Sequence, residues 1–280
     1  MISATDQASI LQQVADERQQ PVGFWARLAL RPTLIRFLSV LVFLLTWELV
    51  SQHIDPILFA GPVRIAEAFW RLSVSGELPR QLALSLSIFL VGLVLASVIG
   101  LGTGLAMGRY RLVEYLIDPY INALYATPRI ALVPLLILWL GLDTQMKIFV
   151  VFMGSFFPIV INTSQGVKNV SSHYVEVARA YGTTEQQVFR KVILPSAAPF
   201  IMAGFRLGVG RALVGMVVAE LLGTLSGLGA MVDKYSSEFD TSALFVPIIV
   251  LAFLGVTVTA GVKQIENRVT RWKETERAQV

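Results

Sequence analysis

The sequence predicts an all-α, polytopic transmembrane fold of about six spans, with both termini on the cytoplasmic side. Three observations carry that expectation. Of 280 residues, 55% are hydrophobic and only 15% charged, and mean hydropathy is +0.65; soluble domains run near 25% charged. Apolar blocks of about 20 residues recur along the chain, the length a helix needs to cross the hydrocarbon with its backbone groups paired. Lysines and arginines fall unequally on the two sides that these blocks define. This composition excludes a soluble enzyme. A net charge of +4, spread between apolar blocks rather than gathered on one face, excludes a nucleic-acid partner. Two histidines and no cysteine leave no disulfide framework, no thiol chemistry and little material for a metal site.

Residues 1–33 read as a cytoplasmic N-terminal segment. Met1 to Gln20 is polar and holds Asp6, Asp16 and Glu17, the reverse of the basic start of a cleaved leader. Phe24, Trp25 and Leu28 with Arg27 and Arg31 form an amphipathic pattern suited to the inner leaflet, with ordinary flanking anchors as the plainer reading. The transmembrane domain is expected over 34–264, and a cytoplasmic helix extension over 265–280, where Ile265, Val269 and Trp272 recur at spacings of four and three.

Span one covers roughly 34–51. Span two lies within 81–108, which carry no charge. Span three begins at 111 with a polar face, Glu114, Asp118 and Asn122, and continues through Pro128, Arg129 and Pro134 to Leu140. Span four lies between Lys147 and Lys168, span five over about 199–222, and span six between Asp240 and Lys263. With the N-terminus inside, 15 of the 23 lysines and arginines face the cytoplasm and five face out, the rest lying within spans. The segment 168–198 is then cytoplasmic, and 52–80 and 223–240 face outward.

The prolines around Arg129 remove backbone donors, so a broken helix is expected there. Broken helices are tolerated only against protein or a water-filled path. Pro128, Arg129 and Pro134 are therefore candidates for a translocation path, where a buried cation attracts an anionic solute. The plainer reading has Arg129 reaching the inner surface or pairing with Glu114 or Asp118. Arg206 and Glu220, about 21 Å apart along span five, cannot pair with each other; Arg206 reads as an anchor and Glu220 as a contact to the outward loop. Gly100, Gly102, Gly104 and Gly108 lie inside a span with no strand before them, so they serve helix packing rather than a nucleotide, as do Gly204 and Gly208. No P-loop, nucleophile elbow or His-Glu-x-x-His pattern occurs, and His53 and His173 lie on opposite sides of the membrane. Hence no catalytic or metal residue is assigned, and no cofactor is expected to bind directly.

The long cytoplasmic loop, His173 to Pro199, reads as two short helices. The first, 173–181, ends at Gly182, which can take the left-handed C-cap conformation. Thr183 with Gln186 three residues on suggests a capping box for the second, 184–193. Pro195 and Pro199 are expected to stop it and redirect the chain into span five. A rigid helical elbow at the membrane surface can pass a push from a soluble partner to the spans.

These residues resemble the EAA loop of ABC-transporter permeases. Glu176, Val177, Ala178 and Gly182 match its first half; Val192, Ile193, Leu194 and Pro195 match its second. Val177 and Val192 depart mildly from the usual Ala and Ile. The resemblance covers about residues 36–268. Pro128, Ala131, Leu132, Pro134 and Leu135, with Phe157, Pro158 and Ile159, are similar to the nitrate, sulfonate and taurine importer branch. The resemblance implies a multi-pass permease subunit of the bacterial inner membrane, without enzymatic activity of its own. It implies that 173–198 docks on separate ATP-binding cassette subunits, which carry the ATP, through Glu176, Ala178, Gly182, Leu194 and Pro195. It further implies an external solute-binding protein, a second permease copy and a small, anionic solute. Two other classes are weighed against it. An ion-coupled secondary carrier would want carboxylates buried mid-span, which the charge-free spans lack, and no internal repeat supports one. An integral-membrane enzyme on a lipid-linked substrate would want acidic or nucleophilic clusters at one depth, and the acidic residues are scattered.

Overall fold

The computed structural model describes residues 32–222 and 226–270. The proposed interfacial helix at 24–31, Gly223 and Trp272 lie outside them. Every regular element among the described residues is helical. In order these are α1 (Pro32–Ser51), α2 (Pro62–Val74), α3 (Glu77–Arg109), α4 (Arg111–Ala126), α5 (Arg129–Leu140), α6 (Thr144–Lys168), α7 (Ser172–Ala180) and α8 (Glu185–Val188). A π-helical turn (Phe189–Ile193) leads into α9 (Leu194–Leu221), followed by α10 (Leu228–Ser237) and α11 (Thr241–Val269). The chain divides into two compact units, 1–55 with 61–63, and 56–60 with 64–280. The described helix of the first is α1, an apolar 20-residue helix that is exposed along nearly its whole length.

In the second unit α6 is the central helix, packed most extensively on α9 and α3. Its sequence explains this position. Apolar residues of α6 meet α3 on one side and α9 on the other, and the two neighbours offer glycines where they cross it. On α3, Gly92, Gly100, Gly104 and Gly108 approach Val151, Ile159, Thr163 and Val167 of α6, so the fourfold repeat makes a groove for one helix in another. Gly102 faces open space and takes no part in that groove. Gly204 and Gly208 of α9 meet the backbone of α6 at Pro158, Ser155 and Ile159. Around these contacts Ile88, Phe89 and Leu93 of α3, Val151 of α6, and Val209, Ala212 and Met216 of α9 form the main apolar core, joined by Val262 of α11. A Cβ at Gly104 would stand 2.7 Å from the Thr163 Cβ and 2.8 Å from the Val160 carbonyl oxygen. Gly104→Val is therefore expected to cost about 1–3 kcal/mol through overpacking, read as a lower melting temperature in detergent, while Gly102→Val should leave it unchanged.

Among the described residues five helices are long and apolar enough to span a membrane, and α4 with α5 forms a sixth candidate bent by 101°. The break falls at Thr127–Pro128, where both residues are extended, with ψ 133° and 97°. Pro134 lies inside α5; the helix is not interrupted there, and Pro119, Pro158 and Pro247 likewise lie within helices.

Two further expectations change. Pro195 and Pro199 do not stop a helix. Pro195 occupies the first turn of α9 and Pro199 lies inside it. The wider π-turn lets the Leu194 N–H reach the Phe189 carbonyl, so the chain passes from the elbow into α9 with helical backbone throughout, and the turn takes up the proline that follows it. The segments expected as plain outward loops contain α2 and α10. Ile65, Ala68 and Leu72 form the buried face of α2; Leu228, Met231 and Tyr235 do the same for α10.

Candidate functional site

Two constellations stand out, one at each end of a line that runs along α9. The first is the elbow. α7 ends where Gly182 takes φ +73° and donates its N–H to the Arg179 carbonyl at 2.9 Å. Thr184, one residue later than the sequence suggested, caps α8. Its Oγ1 accepts the Gln187 N–H at 3.3 Å, and Gln187 Oε1 accepts the Thr184 N–H at 2.9 Å, a complete capping box. Thr183 Oγ1 instead donates to the Ala178 carbonyl at 2.7 Å, closing the end of α7. Arg179 bridges to Glu185 at 2.8 Å, so the angle between the two helices is held from both sides.

The elbow is also tied to the long helices. The Arg109 guanidinium, at the end of α3, lies 4.7 Å from the centre of the Phe189 ring, and Lys168 at the end of α6 meets Glu114 of α4 at 2.6 Å. Val188 is buried. By contrast Tyr174, Val177 and Tyr181 are 58%, 42% and 85% exposed and stand at spacings of three and four, one face of α7. Glu176 is exposed beside them, Ala178 and Leu194 are half-buried, and Gly182 and Pro195 are exposed. The elbow thus offers a partly apolar surface that no described residue covers, the pattern of a helix that seats in a groove. The exposed tyrosine row was not singled out in the sequence, although the i, i+3, i+7 spacing carries that signal.

The second constellation is a cavity of about 270 Å³ between α5, α6 and α9, beside the break at Pro128. Its lining is Thr127, Pro128, Arg129, Ile130, Val133, Val150, Gly154, Arg211, Val214, Gly215 and Val218. Arg129 Nη1 donates to the carbonyl oxygens of Met153 and Gly154 at 3.2 and 3.1 Å, and its guanidinium lies 5.8 Å from the Tyr125 ring centre. It pairs with neither Glu114, which is bonded to Lys168, nor Asp118, which accepts from Asn122 at 2.7 Å. Pro134 is inside α5 and does not line the cavity. Arg211, which the sequence reading passed over, does line it. Gly154 brings it there, for the Arg211 carbonyl oxygen stands 2.9 Å from where a Cβ on residue 154 would be. Arg211 is exposed and lies ten residues, about 15 Å, from the end of α9. A guanidinium facing lipid at that depth costs about 3 kcal/mol or more.

At the end of α9 away from the elbow, Glu220 is fully buried. Its carboxylate accepts Ser85 Oγ at 2.7 Å and the Gly229 N–H at 2.9 Å. Ser85 Oγ accepts the Leu228 N–H, and Gln81 accepts the Gly227 N–H. Gly227 has φ +108°, and any side chain there would collide with the Glu220 carboxylate. Lys147, 2% exposed, donates to the carbonyl and hydroxyl oxygens of Ser226, both at 2.8 Å. Glu220 therefore does contact the segment 223–240, and it binds α3, α9 and the start of α10 together. On the surface nearby, the hydrogen bond from Lys234 to Glu77 holds the Lys234 ammonium above its ordinary pKa. Arg206 pairs with Glu266 of α11 at 3.0 Å.

The family model for the binding-protein-dependent transport system inner membrane component matches residues 96–271. The chain is similar to the putative aliphatic sulfonates transport permease protein SsuC of Escherichia coli strain K12, 38% identical over 228 residues covering 81% of this chain and 87% of that protein. It is also similar to the formylaminopyrimidine transport permease protein ThiX of Halalkalibacterium halodurans, 34% identical over 250 residues, 88% of this chain and 97% of that one. Among solved structures, the inward-facing MetNI methionine ABC transporter shares the fold with a TM-score of 0.58 at 21% identity, over 69% of this chain and 96% of that one. The chain belongs to the family of binding-protein-dependent transport system inner membrane components.

Proposed function

We propose that the chain is the membrane-spanning subunit of an ATP-driven importer for a small anionic solute. Two copies line the path in a bacterial inner membrane. Separate ATP-binding subunits dock on α7 and α8 from the cytoplasm, and an external binding protein delivers solute on the α10 side. The observation that carries this reading is the capped elbow with its exposed Tyr174–Val177–Tyr181 face. Such a surface outside the apolar spans needs a protein partner. The names of the relatives, transport permeases for sulfonates and a formylaminopyrimidine, support the importer class, and the family description supports the binding protein. The excess of lysine and arginine on the elbow side supports its cytoplasmic placement.

The mechanism follows from the continuous backbone between elbow and span. ATP-driven closure of the partner subunits displaces α7 and α8, and the π-turn passes that displacement into α9. Arg211 lies 26 residues beyond Glu185, about 39 Å along the helix, on the wall of the two-arginine cavity. A shift of α9 against α6 therefore opens or closes that cavity, the coupling that alternating access requires. Glu220 anchors the far end of the same helix. The chain itself has no P-loop, so hydrolysis belongs to the partner.

The test is purification of the tagged chain from native membranes. An ATP-binding chain should copurify and hydrolyse ATP. A folded permease that emerges alone contradicts the reading.

A further inference from the structure

We infer that the cavity between α5, α6 and α9 binds organic monoanions that carry no positive group, an oxyanion head between Arg129 and Arg211 and an apolar body against the apolar wall. This rests on the permease reading and narrows its solute class. Three features carry it. Among the described residues, Arg129 and Arg211 are the only charged residues that line the cavity, and both are brought to Gly154, Arg129 by its bond to the Gly154 carbonyl and Arg211 by the close approach of its backbone. Two guanidinium groups in an apolar setting repel each other and call for a counter-ion, and no carboxylate of the lining supplies one. The Met153 and Gly154 carbonyls orient Arg129 without neutralising it, because a neutral acceptor leaves the full charge to be met by a ligand.

The rest of the wall decides what else the ligand can contain. Ile130, Val214 and Val218 offer apolar surface, and Thr127 is the one neutral polar side chain of the described lining. A solute ammonium would find no carboxylate and would lie beside two arginines. A zwitterion is thus rejected by a like-charge contact, whereas an alkyl group of the same size gains apolar burial. At about 270 Å³ the space suits a short-chain sulfonate or carboxylate rather than a peptide or sugar.

The chain contains no cysteine, so Val214→Cys places a single thiol on the cavity wall of the intact permease purified with its ATP-binding subunits. Modification by sulfonatoethyl methanethiosulfonate is expected to outpace modification by its trimethylammonium counterpart by about tenfold or more, relative to the same ratio at Ser237→Cys, exposed at the end of α10 and away from the elbow. Adding Arg211→Gln should bring the ratio at residue 214 most of the way to the value at residue 237. Propane-1-sulfonate should slow the modification, whereas taurine, which has the same shape with an ammonium in place of the methyl group, should not. Equal rates for the two reagents, or equal protection by the two probes, overturns the assignment. Retention of the ATP-binding subunits on the same preparation reports on the permease reading separately. Retained subunits with no charge preference remove the site alone; absent subunits with a clear preference remove the permease reading and leave the site.

Discussion

Gly182→Asp is expected to abolish transport while the protein still inserts and folds. Residue 182 sits at φ +73°, a conformation that costs an L-residue about 1–2 kcal/mol, and aspartate is among the residues that tolerate it best. Among the described residues nothing lies within 4 Å of an added Cβ. The Arg179–Glu185 bridge and the Thr184–Gln187 capping box, both exposed, do not depend on residue 182. The fold should therefore survive, with a melting temperature lower by only a few degrees. The new carboxylate instead projects from the corner between α7 and α8, beside Tyr181, into the surface assigned to the partner. The expected readout is an ATP-binding subunit reduced at least about tenfold in the copurified complex, about 1.4 kcal/mol or more of lost docking energy. Gly182→Ala carries the backbone strain without charge and should retain most of the partner. Normal uptake by Gly182→Asp would remove this corner from the coupling surface.

Glu220→Ala is expected to have the largest effect on stability. It would strip Ser85 Oγ and the Gly229 N–H, both buried, of their acceptor. A buried donor left unsatisfied costs about 1–3 kcal/mol, and the two together correspond to a fall in melting temperature of about 10 °C for a chain of this size. Glu220→Gln keeps an acceptor for the Gly229 N–H and should lose less. A Glu220→Ala protein that melts with the wild type would show that the buried network contributes nothing.

The spans and the elbow were legible in the sequence because each depends on local pattern. Apolar length marks a span, and Gly182 marks the corner of the elbow. The cap of α8 was misplaced by one residue for a simple reason. Thr183 and Thr184 each have a glutamine three positions on, so two capping registers are equivalent until the carbonyl of Ala178 claims the Thr183 hydroxyl. Pro195 was read as a stop, yet the π-turn before it takes up the proline within continuous helical backbone. The helices α2 and α10 were missed because their charges concealed a regular spacing, Ile65–Ala68–Leu72 and Leu228–Met231–Tyr235, that is readable once short helices outside the spans are sought. Glu220 does contact the segment 223–240, but its partner Ser85 lies 135 residues away, and local spacing cannot report such a pairing. Arg211 was missed for the same reason. Only the close approach at Gly154 puts it on the wall that holds Arg129.

Crosslinking from the elbow measures the docking geometry most directly. Tyr181→Cys introduces one thiol at a position 85% exposed in a chain with no cysteine of its own, and Ser237→Cys at the end of α10 provides the matched control. With a short thiol-to-amine crosslinker in native membranes, residue 181 should join a single chain that binds ATP, with a yield that changes when ATP is replaced by ADP, and residue 237 should never join it. An ATP-binding chain captured from residue 237, or none captured from residue 181 while the permease is folded, would contradict docking on α7 and α8.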